Sequence, residues 1–214
     1  MTSASRNTTK TRVAGAFMFR RLLNAVIVAI SLFLAGWIVI AQENKSDSKD
    51  LTFGYFMYGE DHVFAIRVPN DWIVDAATGK SLGLHAVIYP KGSSWREAPV
   101  TMYTNFNRKD KKADTIEKII ANDIDGYKKD SPNLHIDDRS SLPIAKGTER
   151  VIVKYFSGGS GNNFEAVAYI DESKGVAMIV LSARTESDFK KTLPVFEKIV
   201  GSYFFVGDNV TIDK

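Results

Sequence analysis

Hydrophobic and polar positions along this 214-residue chain follow three different rhythms. Residues Leu22–Ala41, LLNAVIVAISLFLAGWIVIA, carry no charge, and only Asn24 and Ser31 are clearly polar. A helix of that length spans roughly 30 Å, the thickness of a hydrocarbon core. Residues 42–50, QENKSDSKD, are polar and charged throughout and read as a linker. From Leu51 onward, short apolar runs alternate with turn signals.

Within that third region, Val63–Val68 alternates, with Phe64, Ile66 and Val68 on one face. Pro69-Asn70-Asp71 follows as a turn, and then Trp72. Gly83–Tyr89 and Val100–Asn107 read as further strands, the second with Val100, Met102 and Phe106 on a shared face. Ala113–Lys129 is the clearest helix: Ile116, Ile119, Ile120, Ile124 and Tyr127 repeat at helical spacing, and Asp114 with Glu117 resembles a capping box. Ser131-Pro132 ends it.

Four more strands follow at Leu134–Ser140, Thr148–Phe156, Phe164–Asp171 and Val176–Arg184. The last three are joined by short turns at 158–163 and 171–175, which predicts antiparallel hairpins. Val176–Ala183 is apolar on both faces, so it is expected at the centre of the sheet. A final helix over about Ser187–Ser202 carries Phe189, Leu193, Phe196 and Val200 as its core stripe, with Phe204 as a candidate extension. Pro194 should kink or restart it. The expected fold is α+β, an antiparallel sheet of about six or seven strands flanked by helices, preceded by one N-terminal hydrophobic helix.

Charge changes the picture at the N-terminus. Five of the 28 basic residues (Arg6, Lys10, Arg12, Arg20, Arg21) and none of the 25 acidic ones lie in 1–41, so residues 42–214 carry a net −2. The formal +3 of the chain therefore belongs to its first segment, and no nucleic-acid partner is expected. Arg20 and Arg21 at one end of the apolar run and Trp37 near the other are interfacial anchors. The positive-inside rule puts the N-terminus in the cytoplasm and everything after Ala41 outside it.

Two readings share that orientation. One is a signal anchor, single-pass, with the globular part extracytoplasmic. The other is a signal peptide cleaved after Ala41, releasing a secreted or periplasmic domain. The run exceeds the usual ~7–15 residues of a signal core, which favours the anchor. A twin-arginine export signal at Arg20-Arg21 fits poorly. The expected organisation is a basic cytoplasmic segment at 1–21, the membrane segment at 22–41, the linker at 42–50, one globular domain at 51–206 and a tail at 207–214. Roughly 155 residues are enough for a single core.

The pattern at 64–72, FAIRVPNDW, resembles the opening strand, turn and Trp of PsbP-like domains, the superfamily that includes the photosystem II protein PsbP and the Mog-type Ran-binding proteins. The closing segment agrees: Leu181-Ser182-Ala183, then Phe189, Pro194, Phe196, Ile199-Val200 and Ser202-Tyr203-Phe204. The resemblance covers about residues 51–205. It implies an α+β sandwich and a binding or assembly role. Its motifs are core and turn residues, and no functional residue carries over with them.

Chemistry is sparse. With no cysteine there is no disulfide, no thiolate metal site, no cysteine nucleophile and no lipoprotein anchor. The three histidines, His62, His85 and His135, lack zinc-motif spacing. His135 with Asp137 on one strand face, and Glu60-Asp61-His62 before a strand, read as exposed polar groups more readily than as metal ligands. Gly158-Gly159-Ser160-Gly161 lacks the spacing of a nucleophile elbow and reads as a hairpin loop. No carboxylate pair stands out.

No catalytic residue, cofactor or metal is therefore expected. Candidate partner contacts are Trp95, in the polar loop 91–99, and the basic run of Arg108, Lys109, Lys111 and Lys112. Phe53, Tyr55, Phe56 and Tyr58 read as a first strand more readily than as a partner-binding edge. The leading expectation is a non-enzymatic, membrane-anchored accessory factor that binds an envelope protein. The alternative is an extracytoplasmic hydrolase or small-ligand-binding domain.

Overall fold

The computed structural model describes residues 51–139, 141–144, 150–159, 161 and 163–208. The apolar run at 22–41, the linker and the end of the tail lie outside the described residues. The chain divides into two units, Met1–Ser48 and Lys49–Lys214, and only the second is described here. Among the described residues, no helix is long and apolar enough to cross a membrane.

Among the described residues, ten strands and three helices follow one another as β1 (Leu51–Tyr58), β2 (Val63–Pro69), β3 (Trp72–Asp75), α1 (Ala76–Ser81), β4 (Ala86–Pro90), β5 (Val100–Arg108), α2 (Ile116–Asp130), β6 (His135–Arg139), β7 (Val151–Ser157), β8 (Phe164–Asp171), β9 (Gly175–Ala183), α3 (Glu186–Gly201) and β10 (Phe204–Gly207). They build a seven-stranded antiparallel sheet, β3-β4-β5-β9-β8-β7-β6, and a three-stranded antiparallel sheet, β1-β2-β10. The α+β class and the seven-stranded sheet agree with the sequence pattern. The second sheet is additional: β2 recruits strands from the two ends of the domain, and no local periodicity reports that pairing.

β9 sits at the centre of the large sheet, paired with β5 along its whole length and with β8 over residues 176–183. Its period-2 alternation feeds two cores. Ala177, Ile179 and Leu181 join Ile170, Met102 and Phe64 on the face covered by α3 and the small sheet. Val176, Met178 and Val180 join Val167 and Tyr169 under Ile116, Ile119 and Ile120 of α2. Strands covered on both faces need apolar residues in both registers, which is the pattern read for this segment.

Several local expectations are corrected. The strand expected from Gly83 begins at Ala86, because residues 76–81 form a short helix capped by Asp75, whose carboxylate accepts from the Thr78 N–H at 2.9 Å. Gly83 then reverses the chain at φ +75°. Helix α2 is capped by Thr115 and not by Asp114: the Thr115 hydroxyl accepts from the Lys118 N–H. Phe204 starts β10 instead of extending α3. Pro194 lies inside α3, exposed, and the helix continues through it; Phe189, Phe196, Ile199 and Val200 carry the packing.

Gly175 opens β9 where space is tightest. A Cβ there would sit 2.4 Å from the Phe106 ring and 2.5 Å from the Asn107 carbonyl oxygen. Backbone cannot yield as a flexible side chain can. Gly175→Ala is expected to destabilise the domain by about 1–3 kcal/mol, read as a lowered urea midpoint with an unchanged m-value.

Candidate functional site

The face of the large sheet under α2 is only partly covered. Helix α2 lies over the rows holding Val167, Tyr169, Met178 and Val180. At one end of this face the rows become polar. Thr101 of β5, Ser182 of β9 and Glu165 of β8 are register neighbours in one row, and Phe156 of β7 extends it. Alternation along each strand puts these side chains on the α2 side. The result is an open groove that the helix does not close.

Glu165 divides this groove. On one side lies a cavity of about 340 Å³ lined by Trp95, Thr101, Tyr103, Asn163, Ser182 and Arg184. On the other lies one of about 240 Å³ lined by Tyr127, Ser131, Phe156 and Asn163, among others. Glu165 lines both. The Tyr127 hydroxyl, reaching down from α2, donates to Glu165 Oε2 at 2.9 Å, and the Tyr127 ring stacks on Phe156 with centroids 5.0 Å apart. Asn163 Nδ2 donates to the Ser182 hydroxyl at 3.2 Å.

The electrostatics are set by burial. Desolvation pushes the Glu165 carboxyl above its ordinary range, against the hydrogen bonds from Ser182 and Tyr127. Asp123 of α2 is pushed up for the same reason, although the Tyr169 hydroxyl donates to it. Burial also raises the phenols of Tyr103, Tyr127 and Tyr169, and the neighbouring carboxylates add to the effect. Two carboxyls and three phenols thus share one side of the sheet, all biased toward their neutral, hydrogen-bonding forms. Sequence alone could not select this pair. Asp123 and Glu165 are 42 positions apart, and strand alternation on β8 was the one available hint that Glu165 shares a face with buried Val167 and Tyr169.

Trp95 stands at the groove mouth. It is half-buried, with its ring edge-on to Tyr103 at 6.3 Å between centroids. The loop around it is tied down by Arg184, whose guanidinium donates to the Arg96 carbonyl at 2.5 Å.

The basic run is not at this site. It follows β5 at its other end, about 27 Å from Val100 along a strand of this length. Arg108 pairs with Glu60 and Asp61 at 3.0 and 3.1 Å. Lys109 is held by Asp171 Oδ1 and the Glu172 carbonyl, both at 2.6 Å. Lys111 and Lys112 are exposed.

His135 and Asp137 do share a strand face, well exposed, with His135 Nε2 3.2 Å from Asp137 Oδ1. Among the described residues, no group of three or more His, Asp or Glu side chains is arranged to hold a metal. β7 and β8 pair antiparallel, as expected for a hairpin, and Gly158 at φ +74° follows β7; residues 160 and 162 lie outside the described residues. Glu60-Asp61-His62 differs from its reading as an exposed loop: His62 is buried, and its ring meets His85.

No protein-family model matches the chain, and no curated protein does. Among solved structures, it is similar to the cyanobacterial PsbP (CyanoP) of Synechocystis sp. PCC 6803 in solution, at 11% identity and a TM-score of 0.44, covering 67% of this chain and 86% of that one.

Burial of Glu165 has a consequence for pH dependence. Its folded-state pKa lies above the unfolded value, so the folded state holds the extra proton and stability falls as pH rises through that interval, which begins near the ordinary carboxyl value of 4.5. Glu165→Gln is expected to flatten that part of the stability–pH curve. Tyr127→Phe, which removes a donor to a buried carboxyl, is expected to cost about 1–3 kcal/mol. Denaturant titrations between pH 4 and 8 read both effects.

Proposed function

We propose that this chain is a non-enzymatic, extracytoplasmic accessory module, tethered by residues 22–41, that captures a partner protein through the Trp95 groove. The observation that carries this reading is Trp95 itself. An aromatic residue held half-buried against Tyr103, at the mouth of a side-chain-sized cavity floored by Glu165, is a preorganised anchor. Trp is enriched where a few residues dominate binding energy. Hydrogen-bonding groups inside the groove (Ser182, Asn163 and the Glu165 carboxyl) supply direction to an incoming polar side chain. The PsbP-like resemblance read in residues 64–72 and 181–204 accords with an accessory role.

The basic run contributes differently. Arg108 and Lys109 are engaged within the fold, which leaves Lys111 and Lys112 as the cations able to meet an acidic surface. They lie at the opposite end of β5 from Trp95, so only a partner broad enough to span the domain engages both.

The test is in-cell crosslinking of the tagged full-length chain, with mass spectrometry of what it captures and of its own N-terminus. Trp95→Ala is expected to reduce capture of the principal partner at least tenfold, about 1.4 kcal/mol, while shifting the melting temperature by no more than a few degrees. Unchanged capture by the variant sinks the groove as the docking site. An N-terminus beginning at Gln42 replaces the tether with a released domain.

A further inference from the structure

The second, unanticipated cluster joins the two sheets. His62 immediately precedes β2 of the small sheet, and His85 immediately precedes β4 of the large one. Their Nε2 atoms are 2.7 Å apart, with the rings edge-on at 4.9 Å between centroids. Behind His62, its Nδ1 is 3.2 Å from Asp61 Oδ1, and Arg108 of β5 reaches both Asp61 and Glu60. The His62 ring is clamped flat on Phe106, 3.8 Å between centroids, and over Gly59, where a Cβ would fall 2.3 Å from it. His85 in turn lines a cleft of about 560 Å³ between the two sheets' edges, walled by Tyr55, Met57 and Tyr58 on β1 and by Lys80 and Leu84 opposite.

We propose that the His62–His85 contact is a proton-sensitive latch that holds the small sheet against the large one and opens this cleft on acidification.

Proton counting carries the argument. Two ring nitrogens 2.7 Å apart are hydrogen-bonded only if one carries a proton and the other a lone pair. The Asp61 carboxylate calls for a proton on His62 Nδ1. If both rings are neutral, His62 Nε2 then accepts from His85 Nε2–H, and His85 Nδ1 keeps a bare lone pair. That atom is buried and makes no hydrogen bond of ordinary geometry, with the Thr104 carbonyl as the neighbouring group that favours a proton there. One further proton, on whichever ring carries it, still leaves one N–H facing one lone pair across the contact, and His85 can turn Nδ1–H toward the Thr104 carbonyl. A second further proton cannot be accommodated. Both rings are then cationic, two N–H groups face each other across the contact, and no acceptor lies between them.

The surroundings place that last step in acid. Burial first, and the neighbouring His62 second, lower His85 to about 4, with the Thr104 carbonyl opposing them. Burial alone would raise Asp61, but the His62 hydrogen bond and the Arg108 and His62 charges outweigh it and keep the carboxyl below its ordinary range. Asp61 therefore still holds His62 when His85 charges. Arg108 and Lys80 are the cations nearby, and Glu60, paired with Arg108, is the remaining anion. Because His85 is lowered on folding, the unfolded chain binds more protons between about pH 6.5 and 4. Stability contributed by the latch is full above that window and lost as pH falls through it.

The chain contains no cysteine and three histidines, which makes the test clean. Spin labels at Tyr58→Cys and Lys80→Cys, on opposite walls of the cleft in the full-length chain in detergent micelles, report its width by dipolar spectroscopy. The expected result is a longer, broader distance distribution at pH 4 than at pH 7, with far-UV circular dichroism retained. The same change should be absent in His85→Gln, which hydrogen-bonds but cannot charge. Selective ¹⁵N-histidine labelling follows the rings, and His85 should titrate well below the ordinary imidazole value of 6.5. An unchanged distance between pH 7 and 4 overturns the latch. So does identical opening in His85→Gln, or opening that coincides with global unfolding. If His85→Gln fails to fold, His62→Gln removes the other ring, and acid-induced opening that persists in it overturns the proposal equally.

Discussion

The pairing of β9 with β5 and β8 is the constraint on which everything else in this domain rests. Nine residues, Gly175–Ala183, are flanked by β5 throughout and by β8 over 176–183, and are buried apart from half-buried Ser182. A strand in that position has no solvent face, so both of its alternating sets must be apolar. One set anchors α3 and the small sheet and the other anchors α2. Gly175 at its start lets Phe106 close over the strand end, and the same Phe106 ring supports His62. The central strand thus reaches, through one aromatic ring, the contact between the two sheets.

Polar chemistry enters where this apolar scheme runs out. The alternation of β9 ends at Ser182, in the row shared with Glu165 and Thr101, beyond the cover of α2. A carboxyl placed there is desolvated by the sheet yet open to cavities on both sides, and Tyr127 and Ser182 meet it with hydrogen bonds. Burial of a carboxyl without a cation partner is costly unless it stays protonated and bonded. The phenols that surround Glu165 and Asp123 serve that end. The groove and the histidine contact lie in different parts of the domain and use different chemistry: desolvated carboxyls among phenols in one, two imidazole nitrogens in hydrogen-bonding contact in the other.

The surface ion pairs carry less weight. Glu60 with Arg108, Lys118 with Asp114 and Lys190 with Glu186 are exposed on both sides, where solvent and salt screen them. Lys109 is different. Partly buried between Asp171 and the Glu172 carbonyl, it ties the end of β5 to the β8–β9 turn. Its sequence setting, inside a basic run, suggested a free cation; the turn it meets is more than 60 residues away.

Period alone determined much of this protein. Alternation at 63–68 and 100–107, the apolar strand at 176–183 and the helical stripes of α2 and α3 were legible because each element buries a face whose spacing is written locally. So were the antiparallel pairings of β7 with β8 and of β8 with β9. What the chain could not show locally was decided by tertiary structure. Strands from the two ends of the domain meet on β2 because of long-range pairing, which has no sequence period. Residues 76–81 curl into a helix because the Asp75 carboxylate caps their N–H groups. Glu165 and Asp123 come to one side of the sheet, and His62 and His85 become one hydrogen-bonded pair, only when the fold brings together residues between 23 and 42 positions apart. Burial, hydrogen bonding and proton affinity are properties of that assembled surrounding, and no single residue carries them in advance.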